Sequence, residues 1–594
     1  MGGIVGIVGE GSVAELEAMA SRMPYRGKAR TWNPAPGVYL GELGQPGVAD
    51  TREEIAADRD DDFAFDLAGD TASRSQIRAA LRAHGDRAAS LLTGFFAVAW
   101  WNESERALKL ICDRNSYKSL YFAKLRGRIA FATDCKALLA LADFPAQINR
   151  EVLQQYLRSR SFPSDRSLLS AAIPVSGAFV WTLKPQGTWT REPYWQPACD
   201  DARSSFDDAA VELRGLLQNV VTRQLFGRDR IGIALSGGLD SVAVLGVARN
   251  VRPDLHIASY TVGHGHEDPE ILRARDAATH FRTEHHECFL PPERVPAELS
   301  RFVWLTEDLT GREEAVLQQV LMQEMSGRET AYLAGHGADA VFAGMPRHRL
   351  LWLRDHAPPP IRGALDEVYL YTQHRCMPRS WLGRRMTSMA FKGDLPSLPR
   401  IIGASQDFAI APPASLGDYV RETVAGRNEG MRFHEPLEAV GNVTMVTPFF
   451  DPAVVQFGLG CPTDYLIDAR RQKRILRAAV QDLLPEEMSG RGKLIQRMKH
   501  DTALSDVLDD FAADLRLRES LSSRGLVAPE YLASFRRASR KTAYSSERLH
   551  ILWAMVCAEL WLRQFIDERG AAGPELSRPA PRPAASGPER LATA

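Results

Sequence analysis

The chain has 594 residues, 45% hydrophobic and 25% charged, and 73 Lys+Arg against 74 Asp+Glu leave a formal net charge of -1. That length and composition suffice for two large domains with cores of their own, and the charge balance excludes a global basic field that would recruit nucleic acid. The seven cysteines form no C-x-x-C pair, no signal-peptide pattern opens the chain, and no apolar run reaches about 18 residues. The expectation is a cytoplasmic protein with reduced thiols and no membrane span.

In chain order, MGGIVGIVGEG reads as a short apolar strand broken by glycines, followed by a helix from about Ala14. MPYRGKAR (residues 23–30), FDLAGDTASRSQIRAAL (65–81) and the long string from Leu91 to Leu141 follow. Together these stretches resemble the class II glutamine amidotransferase domain of asparagine synthetase. The resemblance implies an Ntn-type αββα sandwich over residues 1 to about 200. A glutaminase of that class uses an N-terminal cysteine as nucleophile, whereas residue two here is Gly2. The family's oxyanion-stabilising asparagine falls on Ala68, before Gly69. The expectation is therefore a catalytically inactive amidotransferase fold, with Arg26 kept at the glutamine-binding position in a structural role.

Residues 192–197 (EPYWQP) mark the exit from this domain, and 199–208 are polar and acidic like a linker. A helix is expected from about Phe206 to Phe226. Next comes IGIALSGGLDSVAVLGVA, residues 231–248, which reads as a buried strand, a tight Ser236-Gly237-Gly238 turn and a helix. Such a turn lets backbone N–H groups close on a polyphosphate at a helix N-terminus, with Ser236 and Ser241 hydroxyls adding donors. Asp240 is wasted on a bare anion and points to Mg²⁺ bridging phosphate oxygens. No Walker string G-x-x-x-x-G-K-[ST] exists in the chain. SGGLDS resembles instead the pyrophosphate loop of the ATP pyrophosphatase family, which cleaves ATP between the α and β phosphates. A parallel-sheet α/β synthetase domain over about 206–569 is the fold this implies.

LHIASYTVG (255–263) reads as a second strand, whose end in the synthetase family contacts adenine; Thr261, Val262 and Gly263 are so placed by the resemblance, and Leu235, at the end of the first strand, is expected to bind the nucleotide. His285-His286 are adjacent and cannot share one strand face, which favours a structural role over a metal pair. Residues 329–349, ETAYLAGHGADAVFAGMPRHR, resemble the family's Gly-x-Gly-x-Asp signature. Gly335, Gly337 and Gly344 permit close approach to an adenylate, and Asp339 falls on the second Mg²⁺ carboxylate. Where asparagine synthetases carry Glu and β-lactam synthetases Tyr, this chain carries His336. With a reference pKa of about 6.5, histidine suits a general base for an amine nucleophile.

From about 350 to 439 the pattern is lost in an insert rich in Arg, Trp, Tyr and Pro, compatible with peptide recognition and equally with helix packing. The resemblance resumes over 446–496, where Lys493 falls on the lysine that offsets developing charge and Arg491 can brace phosphate. Lys473 is expected on a helix surface or at a phosphate edge. The helix over 545–566 reads as core scaffold, and the Gly/Ala/Pro/Arg tail 570–594 as disordered. The whole implies an ATP- and Mg²⁺-dependent, AMP-forming amide synthetase most like a lasso-peptide cyclase. The implied substrate is a precursor core peptide, and the implied partners are a leader peptidase and a leader-binding protein. A β-lactam synthetase, an ammonia-dependent asparagine synthetase and an inactive peptide-binding scaffold are the alternatives.

Overall fold

A computed structural model describes residues 2–44, 62–68, 73–160, 165–196, 205–307, 309, 314–391, 397–404, 410–424, 433–492, 501–535, 541, 543–570 and 573. Strand β1 (Gly3–Gly9) alternates as a pleated strand must. Ile4 and Val8 point between two sheets, while Val5 and Ile7 face Leu16 of helix α1 (Val13–Ala20). With β2 (Lys28–Ala35), β3 (Val38–Gly44), β4 (Phe63–Ala68), β5 (Phe95–Asn102), β6 (Ala107–Cys112), β7 (Tyr121–Leu125), β8 (Arg128–Ala132), β9 (Ile173–Pro174), β10 (Phe179–Leu183) and β11 (Trp189–Pro193) it builds two antiparallel sheets. Their orders are β2-β3-β1-β8-β7-β9 and β11-β10-β6-β5-β4. Leu40, Phe122 and Phe131 from one meet Leu108, Leu110 and Trp181 from the other. Helix α2 (Arg74–His84) covers the outer face of the second sheet with Ile77 and Leu81. The expected αββα sandwich is what these layers form.

Helix α3 (Phe206–Gln224), capped by Ser205, opens the second domain. Strands β12 (Arg230–Ala234), β13 (His256–Gly263), β14 (Glu284–Phe289), β15 (Ala331–Leu333) and β16 (Thr444–Val446) form a parallel sheet in the order β14-β13-β12-β15-β16. Burial on both faces explains why β12 and β15 read as continuous apolar runs. Ile231 and Ile233 pack with Leu245 of α4 (Leu239–Val251) and Ala277 of α5 (Pro269–His280), while Tyr260 and Tyr332 join the core on the other side. The strand order reverses between β12 and β15, and the crevice beyond their carboxyl ends is where open α/β sheets bind ligands.

Four helices carry much of the divergent stretch: α6 (Pro346–Asp355), α7 (Pro359–His374), α8 (Trp381–Ala390) and α9 (His434–Gly441). Packing accounts for its buried aromatic and basic residues. Tyr369 and Tyr371 are buried, Arg354 pairs with Asp355 and Asp366, and Arg375 pairs with Glu547 at 2.9 Å. Trp381 is 70% exposed under the Arg385 guanidinium, and Arg379, Arg384 and Arg385 are exposed beside it. Helix α10 (Arg474–Val480) borders the crevice. Helix α11 (Ser546–Trp561), continued by a π turn over Leu562–Asp567, is long and apolar enough to cross a membrane, but 83% of its apolar window is buried in the protein core. Among the described residues the six cysteines are thiols and His285 is bound to Ser259 Oγ at 2.8 Å, a structural role. The tail beyond residue 573 lies outside the described residues.

The two domains are joined by apolar contacts such as Tyr25 on Trp304 and Phe95 on Phe450, and by a buried ion network. Arg26, fully buried, donates to both oxygens of Glu435 at 2.7 Å and pairs with Asp134 at 2.6 Å. Lys118 bridges Asp66 at 2.8 Å and the same Glu435 at 2.9 Å. Lys136 reaches Asp134 and Glu307, each at 3.2 Å. Glu307 and Glu435 belong to the second domain and the other charges to the first.

Candidate active site

The site is assembled at the ends of the two strands that flank the reversal. After β12 the chain turns at Gly237, whose φ of 65° and whose missing Cβ, which would lie 2.4 Å from the Arg273 carbonyl carbon, both require glycine. Gly238 is the N-cap of α4 and offers no side chain, so the first N–H groups of the helix are left for a ligand. Ser236 and Ser241 face each other with their hydroxyls 3.2 Å apart, and the Gly238 N–H donates to Ser236 Oγ at 3.3 Å. After β15, a Cβ on Gly335 would lie 2.7 Å from Asp240 Cβ, so the two loops touch. One cavity of about 850 Å³ opens here, lined by Leu235, Ser236, Gly238, Asp240 and Ser241 from the first loop. Gly335, His336, Gly337 and Asp339 line it from the second, and Thr261 and Val262 from the end of β13.

Two expectations shift in detail. Gly263 is packed against α5, where a Cβ would lie 2.8 Å from Asp268 Oδ2, and it is not among the cavity-lining residues. Gly237 likewise shapes the turn from behind, its carbonyl facing Arg491. Lys493 lies outside the described residues.

Lys473 overturns the helix-surface expectation and agrees with the phosphate-edge one. It is 5% exposed, and its ammonium lies 2.5 Å from Asp240 Oδ1 and 2.6 Å from Asp339 Oδ1, bridging the two carboxylates assigned to metal. Burial works against its charge, yet the two carboxylates hold its pKa above the ordinary lysine value. Its φ of 56° as the N-cap of α10 is a left-handed conformation that a lysine adopts only under constraint. Amphipathic periodicity assigns that lysine to a surface because it cannot see the left-handed cap that turns the side chain inward. Gly344 makes room, since a Cβ there would lie 1.9 Å from Lys473 Cε.

Asp240 and Asp339 converge on one cation-sized point, the donor set of a Mg²⁺ held by two carboxylates and substrate phosphates. Among the described residues no group of three or more His, Cys, Asp or Glu forms a complete protein cage. The residues present fit Mg²⁺ bound together with a nucleotide.

His336 lies at the cavity wall, held from two sides. Its carbonyl accepts from Thr447 Oγ1 at 2.7 Å, and its ring meets the His434 ring edge-on at 4.3 Å. His434 falls inside the divergent stretch, so no motif marked it. The cavity also contains Glu270, whose carboxyl is pushed up to about 8 by burial and then by Asp268, and Arg347, Leu350 and Leu353 of α6. Leu350 and Leu353, with Thr423 farther along, show that the divergent stretch does reach the site.

In the amidotransferase-like domain, a Cβ on Gly2 would lie 2.3 Å from the Leu43 carbonyl oxygen, and the Gly2 carbonyl accepts from Arg26. The Arg26 guanidinium is saturated by Asp134, Glu435 and Gly2, and Ala68 offers no side-chain donor.

A phosphate turn at a helix N-terminus, paired carboxylates and an adjoining Ntn-type sandwich define an ATP-dependent, amide-forming ligase. The chain belongs to the asparagine synthase family, whose model matches residues 212–563; a glutamine amidotransferase domain model matches 51–195. It is 24% identical to asparagine synthetase [glutamine-hydrolyzing] 1 of Bacillus subtilis over 75% of this chain and 73% of that protein. A putative asparagine synthetase [glutamine-hydrolyzing] of Mycobacterium bovis is 24% identical over 97% of this chain and 91% of its own length. Carboxyethyl-arginine beta-lactam-synthase of Streptomyces clavuligerus is 27% identical over 43% of this chain and 48% of that protein.

Proposed function

We propose that this enzyme adenylates an Asp or Glu side-chain carboxylate of a precursor peptide and closes a macrolactam ring with the peptide's own N-terminal amine, as in lasso-peptide biosynthesis. The observation that carries this reading is the state of the amidotransferase-like domain. Gly2 has neither a nucleophile nor room for one, and Glu435 takes up the Arg26 guanidinium. Such a domain generates no ammonia, and an amine already on the substrate gains a large effective molarity over a free one.

The substrate carboxylate attacks the α-phosphorus of ATP, the α–β bridging bond breaks, and pyrophosphate leaves. The backbone N–H groups of the 236–241 turn, with Ser236 and Ser241, hold the phosphates. Asp240 and Asp339 would hold Mg²⁺, which supplies charge screening for the leaving pyrophosphate when bound. Lys473 then turns its ammonium to the phosphates. In the second step the amine attacks the acyl carbon, His336 accepts the proton the amine loses, Lys493 stabilises the oxyanion, and AMP leaves. Arg347, Leu350 and Leu353 offer the peptide a wall with both apolar and cationic character.

The test is mass spectrometry of a linear, leader-free peptide encoded beside this chain's gene. It is incubated with the enzyme, a leader peptidase, a leader-binding protein, ATP and Mg²⁺. Loss of one water with stoichiometric AMP is expected. A peptide that stays linear while aspartate and ammonia give asparagine would replace the reading with an ammonia-dependent synthetase. The similarity to a beta-lactam-synthase favours a second, also intramolecular, reading: closure of a small lactam on a non-peptide amino acid. No AMP with any substrate would leave an inactive scaffold.

A further inference from the structure

We propose that the amidotransferase-like domain now serves the synthetase site as a positioning element, acting through Glu435 and His434 on the His336 ring. Helix α9 is short and clamped along its length. Glu438, one turn after His434, accepts from Tyr332 Oη of β15 at 2.9 Å and from the Met445 N–H of β16 at 3.0 Å. Those bonds fix the helix to the two strands beside the site. At its N-terminal turn, where His434 sits, the Phe433 ring packs on Phe302 with centroids 6.0 Å apart.

The polar hold on the same turn comes from the other domain. Glu435 receives two parallel hydrogen bonds from Arg26 at 2.7 Å each and a third contact from Lys118 at 2.9 Å. A bidentate guanidinium–carboxylate pair fixes distance and plane together. The next residue back, His434, is 4% exposed and wedged between Phe433, with ring centroids 4.3 Å apart, and His336. A rotation of the first turn of α9 would therefore carry the His434 ring off His336. The His434 ring lies edge-on against the His336 ring, so its displacement changes what the His336 ring packs on. A merely stabilising ion network has no need to end one residue from the ring that touches the site, and its other arm, at Glu307, does not. Arg26 and Lys118 are positioning residues on this account, 310 and 218 positions away in sequence from the ring they orient.

The inference rests on the reading of His336 as the amine-facing group, but it is tested without substrate. The full-length protein is labelled with ¹³Cε1-histidine, and the His336 and His434 ring signals are assigned by their loss in His336→Gln and His434→Gln. Glu435→Gln is expected to shift both signals, and Arg26→Lys, which keeps the charge but loses the two-pronged geometry, to shift them in the same direction. Glu307→Gln, in the same network but away from α9, is expected to leave both in place. An unmoved His336 signal in Glu435→Gln and Arg26→Lys, or an equal shift in Glu307→Gln, overturns the proposal. Should Glu435→Gln fail to fold, Arg26→Lys against Glu307→Gln decides alone. If the signals shift as expected but His336→Ala slows adenylation and ring closure alike, the positioning stands and the assignment of His336 as base falls.

Discussion

Replacing Lys473 by methionine should turn a nucleotide-dependent metal site into one that binds Mg²⁺ by itself. With the ammonium 2.5 Å from one carboxylate and 2.6 Å from the other, Asp240 Oδ1 and Asp339 Oδ1 are at most about 5 Å apart. At an effective dielectric constant of about 20, two unit negative charges at that distance repel by about 3 kcal/mol. Lys473 relieves that repulsion in the nucleotide-free protein, and methionine keeps most of its apolar stem without the charge. Mg²⁺ would then recover about 3 kcal/mol on binding the variant, about a hundredfold in affinity. Isothermal titration of Mg²⁺ into both proteins at pH 7.5 without nucleotide measures the difference directly. Equal affinities for variant and wild type would show that the carboxylates do not share one cation site, and the metal assignment would fall with it.

The remaining expectations concern charge, chemistry and history. Arg26 and Lys118 overcome burial to hold the Glu435 carboxyl at about 2, against 4.5 ordinarily, which corresponds to about 3 kcal/mol of stability. Because the folded pKa is depressed, that contribution is present above about pH 4.5 and is lost as pH falls towards 2. Urea unfolding of Glu435→Gln should show the deficit at pH 7 and a smaller one at pH 3; a pH-independent deficit contradicts the ion-pair origin. Asp240→Ala should abolish ATP–pyrophosphate exchange, and retained exchange would remove Asp240 from the metal site. His336→Ala should slow amide formation at least tenfold more than adenylation in single-turnover experiments, with equal losses counting against a base. Gly2→Cys should not release glutamate from glutamine, and its Cβ clash with Leu43 should cost about 1–3 kcal/mol; glutaminase activity would show that the strand gives way.

Local pattern found the phosphate turn, and the family resemblance carried the architecture and the rest of the nucleotide half of the site. Strand β12, its turn and the start of α4 lie within two residues of the expected positions, because a buried apolar strand followed by a glycine turn leaves a local signal in the sequence. Asp240, Asp339 and His336 come together because they follow neighbouring strands of one parallel sheet. What escaped was whatever depends on a partner distant in sequence. Lys473 has the spacing of a surface lysine until its left-handed cap turns it inward. Glu435 and His434 lie where the sequence leaves the family pattern, and only the tertiary structure brings Arg26, 409 residues earlier, into contact with Glu435.

The buried network has a bearing on modularity. Two family models divide this chain as though its halves were interchangeable parts, yet the halves no longer balance their charges separately. Under a replacement domain without Arg26, Lys118 and Lys136, the Glu307 and Glu435 carboxylates would stay buried without the cations that now meet them. The other half would keep Arg26, Lys118 and Lys136 with only Asp66 and Asp134 to meet them. Stranding charges of that kind typically costs about 3–5 kcal/mol for each broken pair. A gene fission or a domain swap with an active amidotransferase would thus have to repair both sides of the junction at once. Two domains that share buried ion pairs are in this way bound to be inherited together.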